Sequence, residues 1–264
     1  MSPKNVVITG GTDGIGRALA LAHLERGDNV LVVGRDPEKG KEFGTGFLAA
    51  DLSLVRENRA VVAEVEARFP ELDVLVLCAR HYLSARRETA EGFEHNFALF
   101  YLSRFLLSHG LSGSLEKAAN PVVMNVAGPG ADLSAVRWDD LGSTRDYDGA
   151  AAMTQAGKLN DLLGVSFAER ADRTRYVLFH PGVVATSFSG EYDGPTAAHV
   201  EAMKRSATPV ETAVWPIVER IDDPPAEPLS AFVRDRRIDV HGVSFDRRAA
   251  ARLHDRTLEL LDGI

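Results

Sequence analysis

Short runs of β-branched and apolar residues alternate with longer amphipathic stretches along this chain, which predicts βα units laid into a parallel sheet. The runs are Val6 to Thr9, Val30 to Val33, Phe47 to Ala50, Val74 to Cys78, Val122 to Val126 and Tyr176 to Phe179, with a last one near Val243 to Phe245. Several are apolar at nearly every position, the pattern of strands covered by helices on both faces. Helical periodicity predicts helices at Ile15 to Arg26, Arg56 to Arg68, Glu91 to Leu107, Gln155 to Arg170, Val210 to Ile221 and Arg247 to Leu261. The expected fold class is α/β, a doubly wound parallel sheet of about seven strands in three αβα layers, with residues 1–264 forming one domain. The Pro-rich patch Asp222 to Pro228 reads as a loop.

Two connections are far longer than ordinary βα loops, Ala127 to Ala152 and Thr186 to Thr208. Such segments at the carboxyl ends of parallel strands form a site or its cover, so substrate specificity and a lid over residues 187–208 are expected there.

Composition narrows the picture. A chain of 264 residues with 45% hydrophobic and 26% charged positions can bury a sizeable core, which excludes a disordered or fibrous protein. No run approaches the length of a membrane span, and a strand-like run begins at Asn5 where a signal peptide would still need its apolar segment; a cytoplasmic protein without membrane contact is expected. The net charge of −8 gives no reason to expect nucleic acid as a partner. Cys78 stands alone and the histidines have no ligand spacing, so no metal is expected.

Directly after the first strand comes TGGTDGIG, Thr9 to Gly16, with a helix following at once. Gly10 permits a tight turn, Gly14 lets backbone approach a pyrophosphate and Gly16 lets the helix pack close to the strand, so that loop amides, with Thr12, Asp13 and Ile15 among them, face an anion. The second strand ends at Val33 and is followed by Gly34 and Arg35, where an NAD user would carry an acid for the ribose 2′-hydroxyl. An acid would repel a 2′-phosphate, whereas a guanidinium fork suits it, so the expected cofactor is NADP(H), with Arg17 as a possible assistant. Asp51 and Leu52 close the third strand and complete the cofactor set; Asp51 either accepts from the adenine amino group or caps the helix after Ser53.

GFE at Gly92 to Glu94, FLL at Phe105 to Leu107, WDDL at Trp138 to Leu141, HPGVVAT at His180 to Thr186 and the closing helix around Leu253 to Leu261 join that loop. On these residues the chain resembles the short-chain dehydrogenase/reductase family over essentially its whole length, and locally its retinol dehydrogenase-like branch. The resemblance implies a Rossmann-type fold, a nicotinamide carboxamide held by Pro181, Gly182, Val184 and Thr186, and reduction or oxidation by a Tyr, Lys, Ser and Asn set. It also implies that this set is degenerate here. Ungapped alignment puts Phe100 at the Asn position and Gly128 at the Ser position, with Ala127 before it. If Lys158 is the family lysine, Thr154 replaces the tyrosine; if Gln155, Asn160 and Ala168 fix the register, Met153 and Gly157 replace Tyr and Lys. The family's Asn-Asn-Ala-Gly after the fourth strand becomes Leu77, Cys78, Ala79 and Arg80.

Substitute groups are therefore sought nearby. Arg80, His81 and Tyr82 follow the fourth strand at the carboxyl edge and are the first candidates, with Tyr147 and Tyr192 in long loops and Lys158 beside the cofactor ribose. Cys78 reads as a core residue and His180 as a satisfied strand-end histidine. Three functions follow: an NADP(H)-dependent reductase of a bulky aromatic or secondary-metabolite ketone or quinone, substrate-assisted or with a non-standard proton source; a non-redox cyclase, dehydratase or isomerase that keeps the cofactor as scaffold; or an inactive NADP(H)-binding sensor or partner protein. All but the last take a small-molecule substrate. The strongly apolar FALFYLSRFLL, Phe97 to Leu107, further suggests a homodimer or homotetramer.

Overall fold

The computed structural model describes residues 2–264. Its strands are β1 (Asn5–Thr9), β2 (Asn29–Gly34), β3 (Phe47–Ala49), β4 (Val74–Leu77), β5 (Tyr82–Leu83), β6 (Val122–Val126), β7 (Arg175–His180), β8 (Gly190–Glu191), β9 (Leu229–Val233) and β10 (Arg236–Ile238). Eight of them form one sheet in the order β10-β9-β7-β6-β4-β1-β2-β3, parallel throughout except for the β9–β10 hairpin. β5 and β8 pair apart from it. The order reverses on either side of β1, which opens a crevice at the carboxyl ends of β1 and β4, the place where such sheets hold ligands.

The flanking helices are α1 (Gly14–Glu25), α2 (Val55–Arg68), α3 (Ser103–Gly110), α4 (Gly149–Ala168), α5 (Gly194–Lys204), α6 (Val210–Asp222) and α7 (Arg247–Leu261). Strand side chains alternate between faces, so the apolar runs feed two cores. Val6, Ile8, Val30 and Val32 pack with Leu19 of α1 and Ile217 and Ile221 of α6. Val7, Leu31, Leu75 and Val123 pack with Val61 of α2, Phe105 of α3 and Leu159 and Leu162 of α4. This is the doubly wound α/β arrangement expected from the strand pattern.

Four details differ from the sequence reading. The main sheet has eight strands, and its last parallel strand is Leu229–Val233, while Val243–Phe245 is a turn of 3-10 helix whose Phe245 plugs the core. α4 begins two turns before Gln155, because Asp148 caps the Ala151 amide at 2.7 Å and an alanine-rich stretch propagates from there. The segment preceding α3 is a turn at His95–Phe97 followed by a π-helical turn at Ala98–Leu102. Glu94 caps that turn, accepting from Asn96 N at 3.0 Å and Phe97 N at 2.6 Å. Finally, Phe97, Leu99, Tyr101, Leu102 and Phe105 are buried within the chain itself, so the core accounts for the apolarity of this segment.

Candidate active site

A groove of about 300 Å³ runs along the carboxyl edge of β1, β2 and β4. Its floor is the loop Gly10 to Gly16, held open by absent side chains. Gly10 has φ +65°, and a Cβ there would lie 2.7 Å from Ala79 Cα; one on Gly16 would lie 2.4 Å from the Gly10 carbonyl oxygen. Gly14 has φ +49° and faces Thr186, whose Cγ2 a Cβ would meet at 2.6 Å. Thr9 ties β1 to β4, its hydroxyl accepting from Cys78 N at 3.1 Å and Ala79 N at 3.3 Å. Asp13 sits at the N-cap of α1 without a side-chain cap bond, which leaves first-turn amides available to a phosphate.

At the far end, Gly34, Arg35, Asp51 and Leu52 line the groove. Arg35 is exposed and makes no ion pair among the described residues, and the neighbouring Asp36 is engaged in capping Glu38 N at 2.9 Å. Arg17 does not assist: it is committed to Glu42 through two bonds of 2.8 and 2.7 Å and lies off the groove. Asp51 Oδ1 accepts from Ser53 N at 3.0 Å and Ser53 Oγ at 2.7 Å. The first amides of α2 are instead capped by Glu91, so Asp51 is not the helix cap and its Oδ2 carries no hydrogen bond. Unpaired amides, a glycine-cleared floor and an unpartnered guanidinium offer donors to the phosphate groups of a dinucleotide.

An inner cavity of about 480 Å³ continues the groove, and Ile15, Arg80, Arg104, Val126 and Thr186 line both. Pro181, Gly182 and Val184 form one wall. From α4 come Met153, Thr154, Ala156, Gly157 and Asn160, with the Thr154 hydroxyl donating to the Ala150 carbonyl at 2.9 Å. Both tyrosine positions of the two registers, Met153 and Thr154, thus face the cavity, whereas of the two lysine positions only Gly157 does. Lys158 lies one residue, about 100°, further round the helix. It is fully buried, donates to Asp161 Oδ2 at 2.9 Å and to the Ser244 carbonyl, and stands over the Phe245 ring at 5.2 Å. It is a core ion pair rather than a ribose contact, and the expectation for Lys158 is corrected accordingly.

The aromatic candidates are also placed elsewhere. The Tyr147 hydroxyl donates to Glu94 Oε1 at 3.0 Å and accepts from Asn96 Nδ2 at 2.9 Å, which makes it part of the Glu94 cap; burial first, then Glu94, holds its pKa above the usual phenol range. Tyr82 pairs in β5 and stands behind the wall, packed against Phe100, Ala156 and, at 5.9 Å between centroids, Tyr192. The Tyr192 hydroxyl donates to the Phe188 carbonyl. No tyrosine, lysine or carboxylate lines the inner cavity among the described residues.

Of the Arg80-His81-Tyr82 cluster, only Arg80 reaches this cavity. His81 lines the groove and lies edge-on to His95 at 5.9 Å, with its Nδ1 2.8 Å from Ser189 Oγ. Burial pushes both imidazoles below their ordinary pKa, and the Arg35 charge adds to this for His81. Burial likewise raises the Cys78 thiol to about 12, so it remains protonated at neutral pH.

Two residues that the sequence reading had not chosen occupy the cavity. His180 Nδ1 accepts from Gly182 N at 3.1 Å, and burial first, then Arg234, lowers its pKa; the neutral ring therefore carries its hydrogen on Nε2. Its Cδ2 lies 3.6 Å from where a Cβ on Gly128 would be. Arg104, 5% exposed, donates through Nη1 to Asn125 Oδ1 and, at 2.9 Å, to the Val126 carbonyl. Asn125 in turn donates to Asn160 Oδ1 at 2.9 Å, and Asn160 Nδ2 holds the Phe100 carbonyl of the π-helical turn at 2.7 Å. The signal for Arg104 was present in the sequence: one charge inside FALFYLSRFLL.

Comparison with known proteins agrees with this architecture. The profile of the short chain dehydrogenase family matches residues 4–138. A Streptomyces sp. (strain C5) protein provisionally named daunorubicin C-13 ketoreductase is 29% identical over 265 residues, covering 95% of this chain and 90% of that protein. Retinol dehydrogenase 12 of Bos taurus is 31% identical over 194 residues, 69% of this chain but 61% of its own length, so this relative is matched over less than two thirds. Among solved structures, a short-chain dehydrogenase from Streptomyces avermitilis superposes with a TM-score of 0.64 at 18% identity, covering 98% of this chain and 93% of that one. With the glycine loop at the switch point of the sheet and the inner cavity beside it, the chain belongs to the short-chain dehydrogenase family.

Proposed function

We propose that this protein is an NADP(H)-dependent ketone or quinone reductase that works without the tyrosine, lysine and serine usual in its family. The observation that carries this reading is the continuity of the two cavities: a groove suited to a phosphorylated dinucleotide opens through Thr186 and Ile15 into a chamber lined mostly by apolar side chains. Gly10, Thr12, Asp13, Gly14, Ile15 and Gly16 would hold the pyrophosphate region, Arg35 the 2′-phosphate, Asp51 and Leu52 the adenine, and Pro181, Gly182, Val184 and Thr186 the nicotinamide. When bound, the reduced nicotinamide supplies hydride.

The chain must then orient the ketone, exclude water and manage charge on its oxygen. Phe100, Met153, Ala156, Val183 and Phe188 give the chamber walls that favour a bulky, flat substrate. His180, neutral and with Nε2–H as its available donor, is the hydrogen-bond donor assigned to the substrate oxygen, beside Gly128. The proton comes from a hydroxyl next to the ketone on the substrate itself, because no acid lines the chamber. Residues 187–208 are assigned as the lid: Phe188 and Met203 line the chamber, and the segment is pinned by β5–β8 pairing and by the Arg87–Glu191 bonds of 2.9 and 2.6 Å. The relative named as a ketoreductase supports the reaction class.

The absence of an acid in the chamber also favours a second reading, a non-redox enzyme that uses the dinucleotide as scaffold. Following NADPH absorbance with hydroxylated aromatic ketones separates them. Substrate-dependent loss of absorbance is expected; product formation at constant absorbance would establish the second reading instead.

A further inference from the structure

The junction between groove and chamber carries two guanidinium groups and no carboxylate. Arg80 and Arg104 line both cavities, and neither forms an ion pair among the described residues. Arg104 is the more informative. It is 5% exposed, and both of its hydrogen bonds leave from Nη1, so the three N–H groups on Nε and Nη2 are without a bond. Burying a cation without an opposing charge is strongly unfavourable, and the desolvation lowers its pKa to about 10, with Arg80 adding to the effect. The guanidinium thus remains charged at neutral pH. The acids of the groove, Asp13, Asp36 and Asp51, line it but not the chamber.

We infer that Arg80 and Arg104 form an anion subsite at the mouth of the chamber, and that the substrate is an aromatic anion whose charge sits on a carboxylate, separate from the neutral hydroxyl beside its ketone. The inference rests on the reading of the chamber as the substrate site. The geometry of a planar fork with adjacent free donors matches a carboxylate better than a neutral ring, and the apolar walls accept the ring system.

The other phosphate-rich source of negative charge is the cofactor, so the test has two arms. Binding of 1-naphthoate and of its neutral isostere 1-naphthamide is measured by calorimetry on the NADP⁺-loaded protein, and NADPH binding is measured separately. The wild type is expected to prefer naphthoate by at least tenfold. Arg80→Gln, at an exposed position, and Arg104→Lys, which keeps the buried charge but loses the fork, should each cut that preference by threefold or more while NADPH affinity stays within twofold. Equal binding of the two probes, or a preference untouched by both variants, overturns the inference. So does a loss of NADPH affinity with the naphthoate preference intact, which would assign the arginines to the cofactor phosphates. Because the readout is binding, a failure of hydride transfer in the absorbance assay leaves these outcomes separately readable.

Discussion

Replacing Arg35 by Gln tests the cofactor assignment at its most specific point. Arg35 is exposed at the groove rim, pairs with no carboxylate among the described residues, and follows Gly34, where a Cβ would stand 3.0 Å from Thr12 Cγ2 and 3.2 Å from Thr12 Oγ1. A side chain at position 34 would crowd Thr12, and with glycine there no acid stands beside Arg35 on β2 to repel a phosphate. A hydrogen bond between charged groups contributes about 1.5 to 3 kcal/mol. Exposure and ionic screening place Arg35 at the low end, about 1.5 kcal/mol, which is roughly a tenfold rise in Kd. Fluorescence titration should show NADPH binding weakened about tenfold in Arg35→Gln, with NADH binding unchanged within about twofold. Raising the salt should narrow the wild-type preference for NADPH and leave the variant nearly flat. Equal weakening of both cofactors, or a wild type that already prefers NADH, would refute the 2′-phosphate reasoning.

Other residues give independent tests. Tyr147→Phe removes the bond to Glu94 and leaves Asn96 short of an acceptor; it should cost about 1 to 2 kcal/mol in urea unfolding while turnover changes less than about twofold. Lys158→Met strands the Asp161 carboxylate in the core and should destabilise by about 3 kcal/mol or more, with NADPH affinity of the folded fraction retained. Gly16→Ala drives a Cβ to 2.4 Å from the Gly10 carbonyl oxygen, and the shift of α1 should weaken NADPH binding by about tenfold or more. His109, packed against Phe105 at 4.6 Å, is held down to about 3 by burial. Its folded pKa lies below the unfolded value near 6.5, so its contribution to stability is complete above that pH and is lost as pH falls from there toward 3. Unfolding curves from pH 7 to 4 should show this decline, and His109→Phe should flatten it.

The glycine loop was legible because it is local: a strand, three spaced glycines and a helix make up the anion-binding turn without distant help. What the sequence hid depended on contacts between remote segments. The register of α4 could not be read from AAAMTQAGK, since its small residues give little periodicity and Lys158 is drawn inward by Asp161 and by a carbonyl far along the chain at Ser244. Tyr147 and Tyr192 read as residues of long loops, yet Glu94 and Asn96 hold the first and the Phe188 carbonyl the second outside the chamber, where Tyr82 packs against Tyr192. Arg104 escaped notice because its apolar neighbours dominate the pattern, and only the converging ends of β4 and β6 reveal that this charge faces a cavity. The strand Leu229–Val233 was missed after a Pro-rich loop, whereas Val243–Phe245, equally apolar, forms a helical turn. Length and apolarity alone do not separate such short segments.

Single-turnover mixing with stereospecifically 4-deuterated NADPH and a panel of hydroxylated aromatic ketones measures the proposed chemistry directly. Deuterium on the carbinol carbon of the product, still formed in Tyr82→Phe and Tyr147→Phe but slowed in His180→Phe, is the expected result. Product without label, or bound NADPH that transfers nothing to any ketone of the panel, would contradict a reductase working in this chamber.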